Sequence, residues 1–149
     1  MRIKLLACLF LICLSVAAPA QETGIDKTDV VLPDYVMRQV VRGVMLREFK
    51  PARVKKTIPV LGQLVKQEWL PTISSLSFTI IPEADAPKYP KGFFLIKPIE
   101  KKAKSYSVMV GWGDNCVATG TVWEFQVVNK KVRSWHWNGH WGSGCGSSS

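Results

Sequence analysis

The chain has 149 residues, with 20 Lys and Arg against 11 Asp and Glu, a formal net charge of +9 and 47% hydrophobic residues. That length makes one domain with room for a core, and no apolar run reaches the roughly 20 residues of a membrane-spanning helix, so a permanent transmembrane anchor is not expected. There is no internal repeat, and no low-complexity tract beyond a Gly/Ser tail.

Arg2 and Lys4 precede an apolar run over 5–16 and then Ala18-Pro19-Ala20. This is the basic, apolar and small-residue order of a secretory signal peptide, with cleavage near Ala20. The string LLAC at 5–8 has the local look of a lipoprotein site, but the apolar run follows the Cys instead of preceding it. Removing 1–20 takes away Arg2, Lys4, Cys8 and Cys13, which leaves 18 basic against 11 acidic residues, a charge of +7, and one pair of cysteines, Cys116 and Cys145. In a secreted or periplasmic protein that pair is expected to form a disulfide; the alternative is two free thiols. The bridge would close a loop of about 30 residues and contribute about 3 kcal/mol on the chain-entropy account.

The stretch 21–32 is polar and mixed and reads as a flexible lead-in. Pro33 and Asp34 then open a helix, Pro suiting the first turn and Asp the positive end of the dipole. Its apolar stripe is Val36, Met37, Val40, Val41, Val44, Met45 and Phe49, and Pro51 ends it. Arg38 and Arg42 share the outer face, either as a solvated face or as an anion site. Gly43 reads as a weak point, costing up to about 1 kcal/mol relative to Ala.

From Arg53 the pattern changes to short apolar runs. TIPVLGQLV at 57–65 reads as a strand pair or a bulged strand, and Pro59 argues for an edge position. Trp69 is expected to be a buried aromatic in a turn. LSFTII at 76–81 is a strand, PEADAPKYPKG at 82–92 a surface loop, GFFLIKPI at 92–99 a strand and EKKAK at 100–104 a charged turn.

The segment 105–145 holds five of the six Trp and both His. Strand parity predicts a three-stranded antiparallel meander. Tyr106, Val108, Val110 and Trp112 are even, and Trp123, Phe125 and Val127 are odd, so the first hairpin needs an even loop. GDNC at 113–116 supplies one, setting Val108 opposite Thr121 and Tyr106 opposite Trp123. The second hairpin must match odd to odd, and a three-residue loop at 129–131 does so. Phe125 then faces Trp135, Trp123 faces Trp137, Glu124 faces His136, Gln126 faces Ser134, and Cys116 falls opposite 144, beside Cys145.

Three groups of candidate site residues follow. Glu124 and His136 could act as an acid/base pair, since a neighbouring carboxylate orients an imidazole, or they could be a structural cross-strand pair. No GxSxG or other nucleophile motif accompanies them. His136 and His140 stand four apart, about 13 Å along a strand, so only a bend at Gly139 could bring them to one metal, with Asp114 as a third ligand. Trp135, Trp137, Trp141 and Tyr106, with Trp112, could form a binding platform or fill the core, and Trp141 is the one expected to be exposed. No cofactor motif is present.

The reading is therefore signal peptide 1–20, lead-in 21–32, a single α+β domain over 33–145 and a disordered tail at 146–149. An N-terminal amphipathic helix packs on a twisted antiparallel sheet of five or six strands. That order resembles, in architecture, the cystatin-like and NTF2-like arrangement of a long helix cradled by an antiparallel sheet. The expected function is a non-enzymatic binding module that contacts an envelope protein, a small ligand or an anionic polymer, without membrane insertion or specific nucleic-acid recognition. The alternative is a small hydrolase-like or metal-dependent enzyme built on Glu124, His136 and His140. A cationic membrane-active protein is disfavoured, because the core claims the helix's apolar stripe.

Overall fold

The computed structural model describes residues 29–114 and 116–144. The expected signal peptide, most of the lead-in, Cys145 and the tail lie outside the described residues. The described residues form an α+β fold, with one helix packed on a mixed sheet of seven strands.

Helix α1 (Asp34–Glu48) follows Pro33 and buries Val36, Met37, Val40, Val41, Val44 and Met45, the expected stripe. The strands are β1 (Lys56–Leu61), β2 (Leu76–Ile81), β3 (Phe93–Ile96), β4 (Glu100–Lys101), β5 (Tyr106–Gly113), β6 (Ala118–Val128) and β7 (Lys131–Ser143). Their order is β2-β1-β3-β5-β6-β7, with β4 beside β5. No helix among the described residues is long and apolar enough to cross a membrane.

Two expectations about the sheet need correction. It is not antiparallel throughout, because β1 runs parallel to both β2 and β3. The connection over 62–75 is long enough for the crossover that a parallel pair needs, about a dozen residues, and it carries the 3-10 turn Gln67–Trp69 that buries Trp69. Nor is 57–65 an edge strand or a strand pair. Its first part, to Leu61, belongs to the single strand β1, which lies between β2 and β3 with Pro59 inside it. The lead-in is also docked over its described end: Asp29 bridges Glu100, the Val30 N–H donates to the Ile99 carbonyl (2.9 Å), and Leu32 is buried.

The first hairpin keeps the expected parity but not the expected positions, and the second leaves its turn with the opposite parity to the one expected. In the first, Tyr106 faces Phe125 and Val108 faces Trp123, two residues away from the expected register. The cause is local. Asp114 N–H donates to the Val117 carbonyl (2.9 Å), and the Asp114 carboxylate accepts N–H groups from Cys116 (2.7 Å) and Val117 (2.8 Å), so the turn starts at Asp114 and not at Gly113. In the second, the turn has two residues, Asn129 and Lys130, both at positive φ (49° and 63°) as a type I′ turn requires. Gln126 accordingly faces Arg133, not Ser134. A bulge at Ser134 (φ 52°) and Trp135, set against Phe125 alone, then restores the pairs Glu124 with His136 and Trp123 with Trp137. A second bulge at Asn138 and Gly139 shifts the register once more, so that Thr121 faces His140 and Ala118 faces Ser143.

The main core lies between α1 and one face of the sheet, around Phe94, Phe125, Val108 and Val110. Gly43 is the seat of this packing. A Cβ there would lie 2.5 Å from Trp135 Cζ2, so the indole rests where only glycine leaves room. The Arg47 guanidinium covers the same indole at 4.5 Å from its centre and donates to the Gly43 carbonyl (2.9 Å), while Trp123 Nε1 donates to Glu48 (2.6 Å). The other face carries a smaller cluster of Ile81, Phe93 and Leu95, with Trp141 against it.

Glutamine amides sit on both outer strands of this order. Gln67 donates to the Phe78 carbonyl (3.0 Å) and accepts from the Ile80 N–H (3.4 Å) on β2. Gln39 donates to the Lys130 carbonyl (3.1 Å) and accepts from the Val132 N–H (3.0 Å) where β7 begins.

Helix propensity alone says that Gly43→Ala should stabilise the protein by about 1 kcal/mol. The Trp135 overlap reverses the sign, and a net loss of about 1–3 kcal/mol is expected from overpacking. Urea unfolding of the variant checks this; a higher midpoint than the parent would show that Gly43 is not the seat of the indole.

Candidate functional site

The sheet comes apart between β1 and β3. These parallel strands pair only at Val60 and Phe94. Pro59, one residue earlier, has no N–H with which to extend the ladder. Toward Lys56 on one side and Gly92 on the other the strands separate, and an open groove of about 630 Å³ lies there. Lys56, Ile58 and Pro59 border it from β1, Lys88, Tyr89 and Lys91 from the loop entering β3, and Trp112 from β5.

The electrostatics of the groove are one-sided. No Asp or Glu borders it. The hydrogen bond from Lys88 to Asp85 (2.7 Å) raises the Lys88 pKa and pairs that charge off. Lys56 and Lys91 meet no carboxylate among the described residues. Lys56 Nζ lies 5.9 Å from the centre of the Trp112 ring. Trp112 is 41% exposed, yet its ring is fixed edge-on against Phe49 (6.1 Å) and Phe94 (6.0 Å). Phe49 in turn packs on Phe78 (5.2 Å) and Phe94 (4.9 Å), so a buried aromatic cluster holds an exposed indole in place. A shallower extension of about 230 Å³ runs from Lys91 past Trp112 to Asp114 and Val117.

The residues singled out from sequence are distributed elsewhere. Glu124 and His136 face each other across β6 and β7, as expected. The Glu124 carboxylate, however, accepts from Lys102 Nζ and from Asn138 (2.7 Å), while His136 is exposed. His140 pairs with Thr121 and so lies on the opposite face of the sheet from His136, because the bulge at Gly139 (φ 102°) adds one residue between them. The bend expected to unite the two imidazoles therefore separates them. Asp114 is engaged in its own turn. No group of three or more His, Cys, Asp or Glu able to hold a metal ion occurs among the described residues.

The aromatic set is not one platform. Trp135 and Tyr106 both pack on Phe125, at 5.0 and 5.6 Å, and belong with the main core. Trp137 is 58% exposed on that same face, with His140 edge-on at 5.4 Å. Trp141 lies on the other face and is half-buried, against the expectation of exposure. It faces Gly120, which faces Gly111, and this row without side chains lets the indole reach across to donate to the Val110 carbonyl (3.0 Å). Lys97 covers it at 4.2 Å. Cys116 is exposed beyond β5, and its expected partner Cys145 lies outside the described residues.

Of the groove residues, sequence reasoning picked out only Trp112 as an aromatic. The remaining signal was the run of Lys, Tyr and Pro in PKYPKG, which reads equally as a surface loop.

N–H donation from Val117 and Cys116 holds the Asp114 carboxyl below its ordinary 3.8. A carboxyl whose folded pKa is depressed stabilises above its unfolded pKa and loses that contribution as pH falls through the folded one. Asp114→Ala should therefore lower the thermal midpoint at neutral pH, with the gap from the parent closing as pH drops below about 4. Melting curves taken from neutral to strongly acidic pH check this, and a gap independent of pH would show that the carboxylate does not hold the turn. Compared with known protein families, with characterised proteins and with solved structures, the chain matches none.

Proposed function

We propose that this protein is an exported, non-enzymatic binding module that takes an anionic ligand of the cell envelope or its surroundings in the groove between β1 and β3. The observation that carries the reading is the groove itself: it is open, free of carboxylates along its border, lined by lysines and flanked by a rigid exposed indole. Large concave sites with a few placed polar groups are where ligands bind. The basic charge supports an anionic partner, and the basic, apolar and small-residue order of 1–20 supports export.

In this reading the mature chain opens with α1 and closes with β5, β6 and β7 as a meander stapled by Cys116 and Cys145. The Ala118–Ser143 register, continued by two positions, would set 116 opposite 145. The second bulge supplies the one-residue shift that the simple hairpin count lacks.

Peptide mapping of the purified, non-reduced protein is expected to recover Cys116 linked to Cys145. Linkage of Cys116 to Cys8 or Cys13 would overturn both the staple and the loss of 1–20. For the groove, amide chemical-shift mapping with heparin as a generic polyanion at low salt should move the signals of Lys56, Lys91 and Trp112. Lys56→Gln with Lys91→Gln should weaken binding about tenfold or more. Shifts spread evenly over the lysine-rich surface, or affinity unchanged in the double variant, would overturn this assignment of the site.

A further inference from the structure

The walls of this groove restrict what kind of anion fits, an argument that rests on the binding reading above. A gap between two strands would ordinarily suggest an added peptide strand, held by main-chain hydrogen bonds. Here several of the donors that such a strand would need are missing or already engaged. Pro59 and Pro90 have no N–H. The Lys56 N–H already donates to the Ser75 carbonyl (2.9 Å) and the Gly92 N–H to the Tyr89 carbonyl (2.9 Å). The groove offers side chains in their place: the ammonium groups of Lys56 and Lys91, the hydroxyls of Thr57 and Thr79, and the rings of Tyr89 and Trp112.

These groups are arranged for a ring that carries a charge. Trp112 is held in T-shaped contact with Phe49 and Phe94, so packing a ligand ring against its exposed part costs little ordering. Lys56 Nζ stands over that ring at 5.9 Å from its centre, placing a cation against the indole. A pyranose has an apolar face of axial hydrogens for the indole, and a carboxylate on its C5 substituent projects from the rim toward such a cation. The shallow extension past Trp112 gives a second ring somewhere to lie, with Lys91 bordering both parts. It ends at Asp114, whose carboxylate faces its own turn N–H groups.

We infer that the groove binds a glycan chain containing uronic acids, with one hexuronate ring stacked on Trp112 and its carboxylate on Lys56, and the next residue of the chain carried toward Lys91.

Calorimetry on the purified protein with a galacturonate tetramer, its methyl-esterified neutral counterpart, and polyglutamate tests this. The acidic tetramer should bind, the ester at least about tenfold more weakly, and polyglutamate no better than the ester. Trp112→Ala should weaken the acidic tetramer about tenfold or more, with Trp112→Phe intermediate. Because Trp112 packs on Phe49, melting curves must accompany these variants, and the exposed-site variants Lys56→Gln and Lys91→Gln give an independent reading that does not disturb the core. Polyglutamate binding as tightly as the tetramer, with Trp112→Phe without effect, would overturn the glycan inference while leaving an anion-binding groove. The ester binding as tightly as the acid would overturn the role of the lysines. Failure of all three probes and of heparin would overturn this inference and the binding reading together.

Discussion

The contact between Gly43 and the Trp135 indole determines how α1 lies on the sheet, and the rest of the domain follows from it. Six buried side chains attach the helix, each contributing about 1.5–3 kcal/mol, but apolar burial by itself does not choose an angle or a depth. The missing side chain at Gly43 does, because it leaves a flat place for a large ring that the bulge at Ser134 turns inward. Arg47 closes over the ring, and Glu48 fixes the neighbouring Trp123. With the helix seated there, Phe49 arrives at its end against Phe78, Phe94 and Trp112. A glycine in mid-helix thus positions, through one phenylalanine, the indole that borders the groove.

The two faces of the sheet are finished differently. One is covered by a helix and holds most of the core. The other has only a small cluster, which the chain extends with Trp141 laid over two facing glycines and capped by Lys97. The groove arises where neither solution applies. Past the single pairing of Val60 with Phe94 no backbone ladder joins β1 to β3, and three lysines and two aromatic rings are among the side chains bordering the gap.

What could be read from sequence was whatever depends on near neighbours. The helix was legible because its stripe repeats every three to four residues, and the parity of the first hairpin was legible because side chains alternate strictly. Exact register was not, since it turned on chemistry that parity does not see: the Asp114 carboxylate chose where one turn begins, and positive φ at Asn129 and Lys130 permitted a shorter turn whose pairing one bulge corrected and a second shifted again. Gly43 looked like a defect because its partner lies far along the chain. The parallel placement of β1 was hidden for the same reason, its neighbours being brought together by a long crossover and not by a hairpin. The groove was the least legible feature of all. It is a place where two strands fail to pair, built from residues of three strands and a loop that read separately as edge, turn and surface.

The two glutamines described on the outer strands have a consequence for how the molecule behaves among its own copies. An open strand edge is a template, and the next chain to present a matching row of amides can dock on it. Gln67 and Gln39 place a primary amide, one donor and one acceptor, against the outward-facing groups of β2 and of the start of β7. Chemically each is a fragment of a further strand, one peptide unit long, that ends the sheet instead of continuing it. Resistance to self-association would then rest less on the net positive charge than on two neutral side chains that occupy the positions where another molecule would begin to add.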